Sequence, residues 1–219
     1  MKIEGGQKIV LFDGSTELNY GTLGVVMDRA GTPVGLTCAH VAYGFPPDKT
    51  SAGHLQLFRR KPGPTDLVVG PPAKNGFASV TSPLDAALVT IVNPPDADPM
   101  SVEGIGKIRF ATDAQMKALR TDDVVKKVGA KTGHTQSKLA DFNQLRTIEY
   151  AGPAGTVTKT LDNLMTVKDA KFAAQGDSGS LVVKPIGSKN IAIGMIVAVD
   201  SDANEVLIVR MPDVLDSLA

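Results

Sequence analysis

The sequence predicts an all-β fold: two six-stranded antiparallel β-barrels with a short C-terminal helix. Three observations carry that expectation. The apolar runs are short and bounded by turn residues, so they suit strands better than helices. The 22 glycines and 14 prolines favour many turns over long helices. A stretch rich in Pro and Asp, 93–104, divides the runs into two groups of about six. A chain of 219 residues can hold one large all-β unit or two small ones sharing a cleft. Trp is absent and aromatics are few, so the core is expected from Val, Leu, Ile and Ala.

Residues 8–13 read as a strand ending in a turn at Asp13-Gly14-Ser15. Residues 21–28 form the next, and Arg29-Ala30-Gly31-Thr32 turns the chain into a third at 33–37. Cys38-Ala39-His40-Val41-Ala42 reads as a short helical turn, and 45–54 as a loop. Strands are expected at 55–59, 66–70, 76–80 and 85–92. Residues 93–104 hold three prolines and two aspartates without periodicity, and serve as the linker between units 1–98 and 99–219. Beyond it, strands are expected at 105–110, 124–128, 145–150, 164–168, 180–184, 190–200 and 205–210. A short helix near 112–119 has Thr or Asp at its N-cap. A second, 212–218, has Pro in its first turn.

Charge is balanced, with 23 basic and 23 acidic residues, so neither nucleic acid nor an acidic membrane surface is an electrostatic partner. No apolar run approaches membrane-spanning length. Cys38 is the lone cysteine, which excludes an intramolecular disulfide and fits a reducing compartment. The N-terminus lacks an apolar signal core, and the expected location is cytoplasmic. Three scattered histidines and one cysteine do not make metal-ligand spacing, and there is no phosphate-cradling loop; no metal or cofactor is expected.

The stretch that carries chemistry is Gln175-Gly176-Asp177-Ser178-Gly179-Ser180, running into Leu181-Val182-Val183. A serine on a tight turn before a buried strand presents its hydroxyl to a cleft. The glycine two residues earlier lets a backbone N–H aim at a developing oxyanion, and the serine's own N–H is the second donor. The plain structural alternative is a surface hairpin, since Gly, Asp and Ser are ordinary turn residues. A serine hydroxyl also needs a base, and the base an orienting group. His40 ends an apolar strand. His54 lies in a polar loop and His134 at a hairpin tip. Asp85 opens an apolar strand, where an acid is costly unless paired. His40 is the partner to expect, against the alternative of a turn residue after Pro83.

Thr37-Cys38-Ala39-His40, Leu84-Asp85-Ala86-Ala87-Leu88 and Gly176-Asp177-Ser178-Gly179-Ser180, in that order, resemble the trypsin-like (chymotrypsin-fold) serine peptidases. The intervals of 45 and 93 residues are also close to the family layout. Gly21-Thr22-Leu23-Gly24 and Lys127-Val128-Gly129-Ala130-Lys131-Thr132-Gly133 extend the resemblance over nearly the whole chain. It implies a serine endopeptidase acting on protein or peptide substrates. His40 would be general base and acid, Asp85 its orienter, Ser178 the nucleophile, and the N–H groups of Gly176 and Ser178 the oxyanion hole. Asp177 would set the turn by pairing with a buried cation, which in activated animal members is a new N-terminal amine. Ile3-Glu4-Gly5-Gly6 is similar to such a terminus, but the expectation is that a Lys or Arg side chain, or nothing, pairs with Asp177.

By the same resemblance, the substrate pocket falls near Phe172, Ala173 and Ala174 on one wall and Val197, Ala198 and Val199 opposite, with Met195 and Ile196 leading in. It has no acid, histidine or arginine at its base, so small or medium apolar side chains are expected; Asp200 stands close by. Val197 falls where secreted members often carry a serine that donates to the catalytic aspartate. Cys38 is expected as a small buried core residue, with redox sensing as the alternative. Two other functions stay open: a latent trypsin-fold binding or scaffolding module, its cleft plugged by 45–54 or 131–144, and an esterase-like hydrolase. A regulatory domain or partner protein is compatible with each.

Overall fold

Alternating apolar residues bounded by Gly, Pro and Asp produce the strands, and long-range pairing assembles them into two sheets. The computed structural model describes residues 2–13, 16–43, 54–58, 67–75, 84–91, 94–152 and 155–219. The N-terminal half contains β1 (Ile3–Gly5), β2 (Lys8–Asp13), β3 (Thr16–Thr22), β4 (Val25–Arg29) and β5 (Thr32–Thr37). Helix α1 (Ala39–Tyr43) follows, then β6 (His54–Phe58), β7 (Leu67–Asn75) and β8 (Ala87–Ile91). The C-terminal half contains β9 (Ala97–Val102), β10 (Gly106–Phe110), α2 (Asp113–Lys117), β11 (Val124–Gly129) and β12 (Gly133–Lys138). The long hairpin β13 (Gln144–Gly152) and β14 (Gly155–Val167) precedes β15 (Leu181–Ile186), β16 (Lys189–Asp200), β17 (Glu205–Arg210) and α3 (Met211–Ser217).

Seven strands pair in the order β3-β2-β6-β7-β8-β5-β4, all antiparallel. The other sheet has ten strands in the path β1-β9-β10-β16-β15-β11-β12, with β17, β14 and β13 joined successively to β16. The fold is therefore mostly β with a short C-terminal helix, as expected, but the strands divide seven and ten among the described residues rather than six and six. Part of the difference lies in 93–104. This expected linker carries β9, because β1 pairs with it in parallel and Glu103 N–H donates to the Gly5 carbonyl at 2.8 Å. No local pattern announces a strand whose partner is 97 − 3 = 94 residues away. Two backbone hydrogen bonds, Ala140 N–H to Thr166 O (2.8 Å) and Thr166 N–H to Asp141 O (3.0 Å), also bring the end of β12 onto β14.

Other boundaries shift modestly. The expected strand 21–28 is two strands, with the turn at Leu23-Gly24 between β3 and β4. The expected strand at 76–80 and loop residues 45–53 lie outside the described residues. α2 carries the expected Thr112 N-cap as a full capping box: Gln115 N–H donates to Thr112 Oγ1 and Thr112 N–H to Gln115 Oε1. One apolar core runs through both sheets, from Ile9, Leu23, Leu36 and Leu88 to Leu181, Met195 and Val209. A smaller one, with Met116, Leu119, Phe172 and Ile193, lies under α2.

This layering makes a mutational contrast. Leu36 is fully buried, and Leu36→Ala should cost about 2–5 kcal/mol in urea unfolding. Leu145 is 63% exposed, and Leu145→Ala should stay within about 0.5 kcal/mol. Equal shifts in the two variants would contradict the assigned core.

Candidate active site

The Gly176–Gly179 turn depends on two left-handed residues, Gly176 (φ +105°) and Gly179 (φ +94°). A Cβ on Gly176 would run into the Tyr20 ring, and one on Gly179 into the Thr22 carbonyl. Thr22, fully buried on β3, clamps the turn from the other half of the molecule. Its hydroxyl donates to Gly176 O (3.1 Å) and accepts from Ala130 N–H (2.9 Å), while its own N–H donates to Ser178 O (2.9 Å). The N–H groups of Asp177, Gly179 and Ser180 donate to Ala174, Ile196 and Asp177. Among the described residues, those of Gly176 and Ser178 have no acceptor, so two adjacent donors are left for a ligand.

Asp177 is fully buried beneath this turn. Lys127 Nζ donates to it at 2.9 Å, as do Lys131 N–H (2.8 Å), Thr132 N–H (3.2 Å), Thr132 Oγ1 (2.7 Å) and Ala174 N–H (3.0 Å). Burial opposes its ionisation. The Lys127 charge and these donors outweigh burial and hold the carboxyl below the ordinary carboxylate range. The cation expected opposite Asp177 is thus a lysine side chain, and Ile3 is a buried strand residue of β1. Sequence reasoning did not single out Lys127; the structure places it with Val125 on the buried face of β11, where a lysine needs a partner.

His40 lies in α1, whose turn is closed by N–H groups of Val41 and Ala42 donating to Cys38 O. Its own N–H donates to Asp85 Oδ1 (3.0 Å), and its ring Nδ1 lies 2.5 Å from Asp85 Oδ2. Asp85 is fully buried. Burial works against its charge, but the His40 ring and the donors of His40 and Tyr150 hold its carboxyl below the ordinary range. The Tyr150 ring lies 5.4 Å from the His40 ring; burial and the Asp85 charge push its phenol pKa far up. Cys38 is a fully buried core residue. Burial, reinforced by Asp85, raises its thiol pKa well above the usual value, so it lacks the thiolate of a redox sensor. Cys38, His40 and Asp85 do present ligand-type atoms within 4.8 Å of one another. The Cys38 thiol donates to Ile196 O at 3.2 Å, and His40 and Asp85 engage each other.

His40 and Ser178 line one cleft of about 420 Å³. Its walls are Ala173, Ala174 and Gln175 on one side and Val197, Ala198 and Val199 on the other, with Ile148, Glu149 and Tyr150 of β13 beside them. Ser178 Oγ lies 3.5 Å from Val197 O. Of the residues assigned to the pocket from sequence, Phe172 is not on the lining: it is fully buried behind the wall, in the smaller core. Met195 and Ile196 are also core. Asp200 lines the cleft, but its carboxylate accepts from Asp202 and Ala203 N–H and caps a turn. His134 stands exposed on β12 opposite Val128; the side chain of His54, on β6, lies outside the described residues. Sequence reasoning read β13 as a strand but missed its place on the cleft. The buried-exposed-buried order Ile148-Glu149-Tyr150 marks a packed face without saying against what.

No protein-family model and no curated protein matches the chain. Solved structures do. A serine protease described as specific for glutamic acid, using a histidine triad in substrate binding, is 14% identical, with TM-score 0.60 over 98% of this chain and 97% of its own. The Nocardiopsis protease NAPase is 17% identical, with TM-score 0.57 over 100% and 97%. Thermobifida fusca protease A is 17% identical, with TM-score 0.58 over 99% and 95%. The chain thus has the fold of the bacterial chymotrypsin-like serine proteases, and its lone cysteine rules out an intramolecular disulfide.

Breaking the buried pair leaves an uncompensated charge, so Lys127→Met should lose about 3–5 kcal/mol in denaturant unfolding. Asp177 and Asp85 have depressed folded-state pKa values. Their contribution is full above the unfolded carboxylate range and is lost as pH falls toward the folded values. Urea midpoints should therefore drop from neutral pH toward about pH 3, less steeply in Asp177→Asn. A pH-independent midpoint would contradict ionised, buried carboxylates.

Proposed function

We propose that the chain is a serine endopeptidase that hydrolyses peptide bonds through an acyl-enzyme on Ser178. The observation that carries this reading is the buried His40–Asp85 pair opening onto the cleft that Ser178 lines. With Asp85 ionised, His40 Nδ1 holds its proton toward the carboxylate and Nε2 is the free base. Ser178 Oγ attacks the scissile carbonyl carbon while His40 Nε2 takes the hydroxyl proton. The oxyanion forms against the N–H groups of Gly176 and Ser178, the two donors without acceptors among the described residues. Collapse of the tetrahedral intermediate breaks the C–N bond, and His40 returns the proton to the leaving amine. Water, activated by the same imidazole, then releases the acid product.

The halves divide the labour in this reading. Unit 1–98 supplies His40 and Asp85, and unit 99–219 supplies Ser178. In this reading each unit is built around a barrel, a reading supported for the second by the hydrogen bonds between Ala140, Asp141 and Thr166. The side chains of Ala173, Val197, Ala198 and Val199 favour small or medium apolar residues at the scissile bond. His40 is the one histidine on the described lining, so the cleft lacks the histidine cluster named for the glutamic-acid-specific protease. A lone buried cysteine suits a cytoplasmic setting.

A fluorophosphonate probe should label Ser178 in the native chain and not in Ser178→Ala. His40→Ala and Asp85→Asn should each lower kcat by about 10⁴-fold. Absence of labelling in the native chain would refute the peptidase and favour the latent binding module. In a peptide library the same sample should cleave after small or medium apolar residues; dominant cleavage after Lys, Arg or Glu would overturn the pocket assignment.

A further inference from the structure

Lys159 is a buried lysine that the mechanism above does not use. It lies on β14 opposite Ile148 of β13 and is 5% exposed. Its Nζ donates to the carbonyl of Leu84 at 3.0 Å, the residue next to Asp85 and on the other half of the molecule. In the resting site Asp85 is fully buried and ionised while His40 must be neutral to act as base, so His40 cannot then be its counter-charge. His40 from α1 and Tyr150 from β13 donate to Asp85, the Cys38 thiol lies nearby, and the Lys159 ammonium from β14 is held at the carbonyl of the preceding residue, Leu84. Of these only Lys159 can carry a positive charge while His40 is neutral. Val197 has no side-chain donor to offer.

Resting on the peptidase reading, we propose that Lys159 is a positioning residue: it supplies the buried counter-charge for Asp85 and ties the β13–β14 hairpin to the segment carrying that aspartate. Burial holds the Lys159 pKa below the ordinary lysine value, and the Asp85 charge opposes part of that shift. A cation behind Asp85 also resists protonation of the His40–Asp85 unit, keeping the base free to lower pH.

The test compares Lys159→Met with Lys159→Gln, since the amide keeps a donor for Leu84 O and loses the charge. In both, the acidic limb of the kcat/KM–pH profile should move to higher pH by about one unit. kcat should fall about tenfold with little change in KM. A Gln variant that behaves like the parent, or variants whose profiles fall without moving, would overturn the proposal. Nitrogen NMR of the lysine side chains in full-length Ser178→Ala gives a readout independent of turnover. Lys159 should be protonated at neutral pH, and adding Asp85→Asn should lower its pKa. A neutral Lys159, or one indifferent to Asp85→Asn, would refute the counter-charge role. A failed peptidase reading would show instead as no probe labelling of the native chain, with the NMR result still decisive.

Discussion

A buried carboxylate organises this molecule. Asp177 has no solvent, so its charge must be met by protein, and it collects one ammonium, one hydroxyl and three backbone N–H groups. Those donors come from β11, from the turn after it and from the chain before Ser178. Meeting them fixes the path of 174–180 and leaves the N–H groups of Gly176 and Ser178 without acceptors among the described residues. The electrostatic cost of burying one acid is thereby converted into a rigid pair of donors. The ammonium comes from Lys127 on β11, the strand that pairs with β15 beyond the turn.

The cleft is likewise a product of the two halves meeting. Thr22 reaches from β3 to Gly176 and Ser178; Lys159 reaches from β14 to Leu84. Each contact ties a backbone carbonyl at or beside the candidate site to the opposite half of the molecule. The shared apolar core around Leu23, Leu36 and Leu181 supplies the bulk of the attraction, and these polar contacts set the register. Gly179, pressed against the Thr22 carbonyl, records how close the two backbones come.

Much of this was legible in the residues. Short apolar runs with turn residues between them marked most strands, Thr112 marked a helix start, and a polar acid heading an apolar strand marked Asp85 as paired. Asp85 stood out as an acid at the head of an apolar strand; His40 and Ser178 stood out through the order and spacing of the three motifs. Less legible were the residues whose role lies in what they touch. Phe172 looked like pocket and is core; Tyr150 looked like an ordinary strand residue and lies tilted against the His40 ring; β9 looked like linker until β1 paired with it.

The division follows from the range of the forces involved. Periodicity and turn chemistry act within a few residues, so the sequence alone determined the β class; the candidate triad and a cation near Asp177 followed from the resemblance that its ordered motifs carry. Which cation, which strand roofs the cleft and which lysine stands behind Asp85 depend on contacts between residues far apart along the chain, from the 50 that separate Lys127 from Asp177 to the 75 that separate Leu84 from Lys159. Such pairings are chosen by the packing of whole sheets, and only the tertiary structure could decide them.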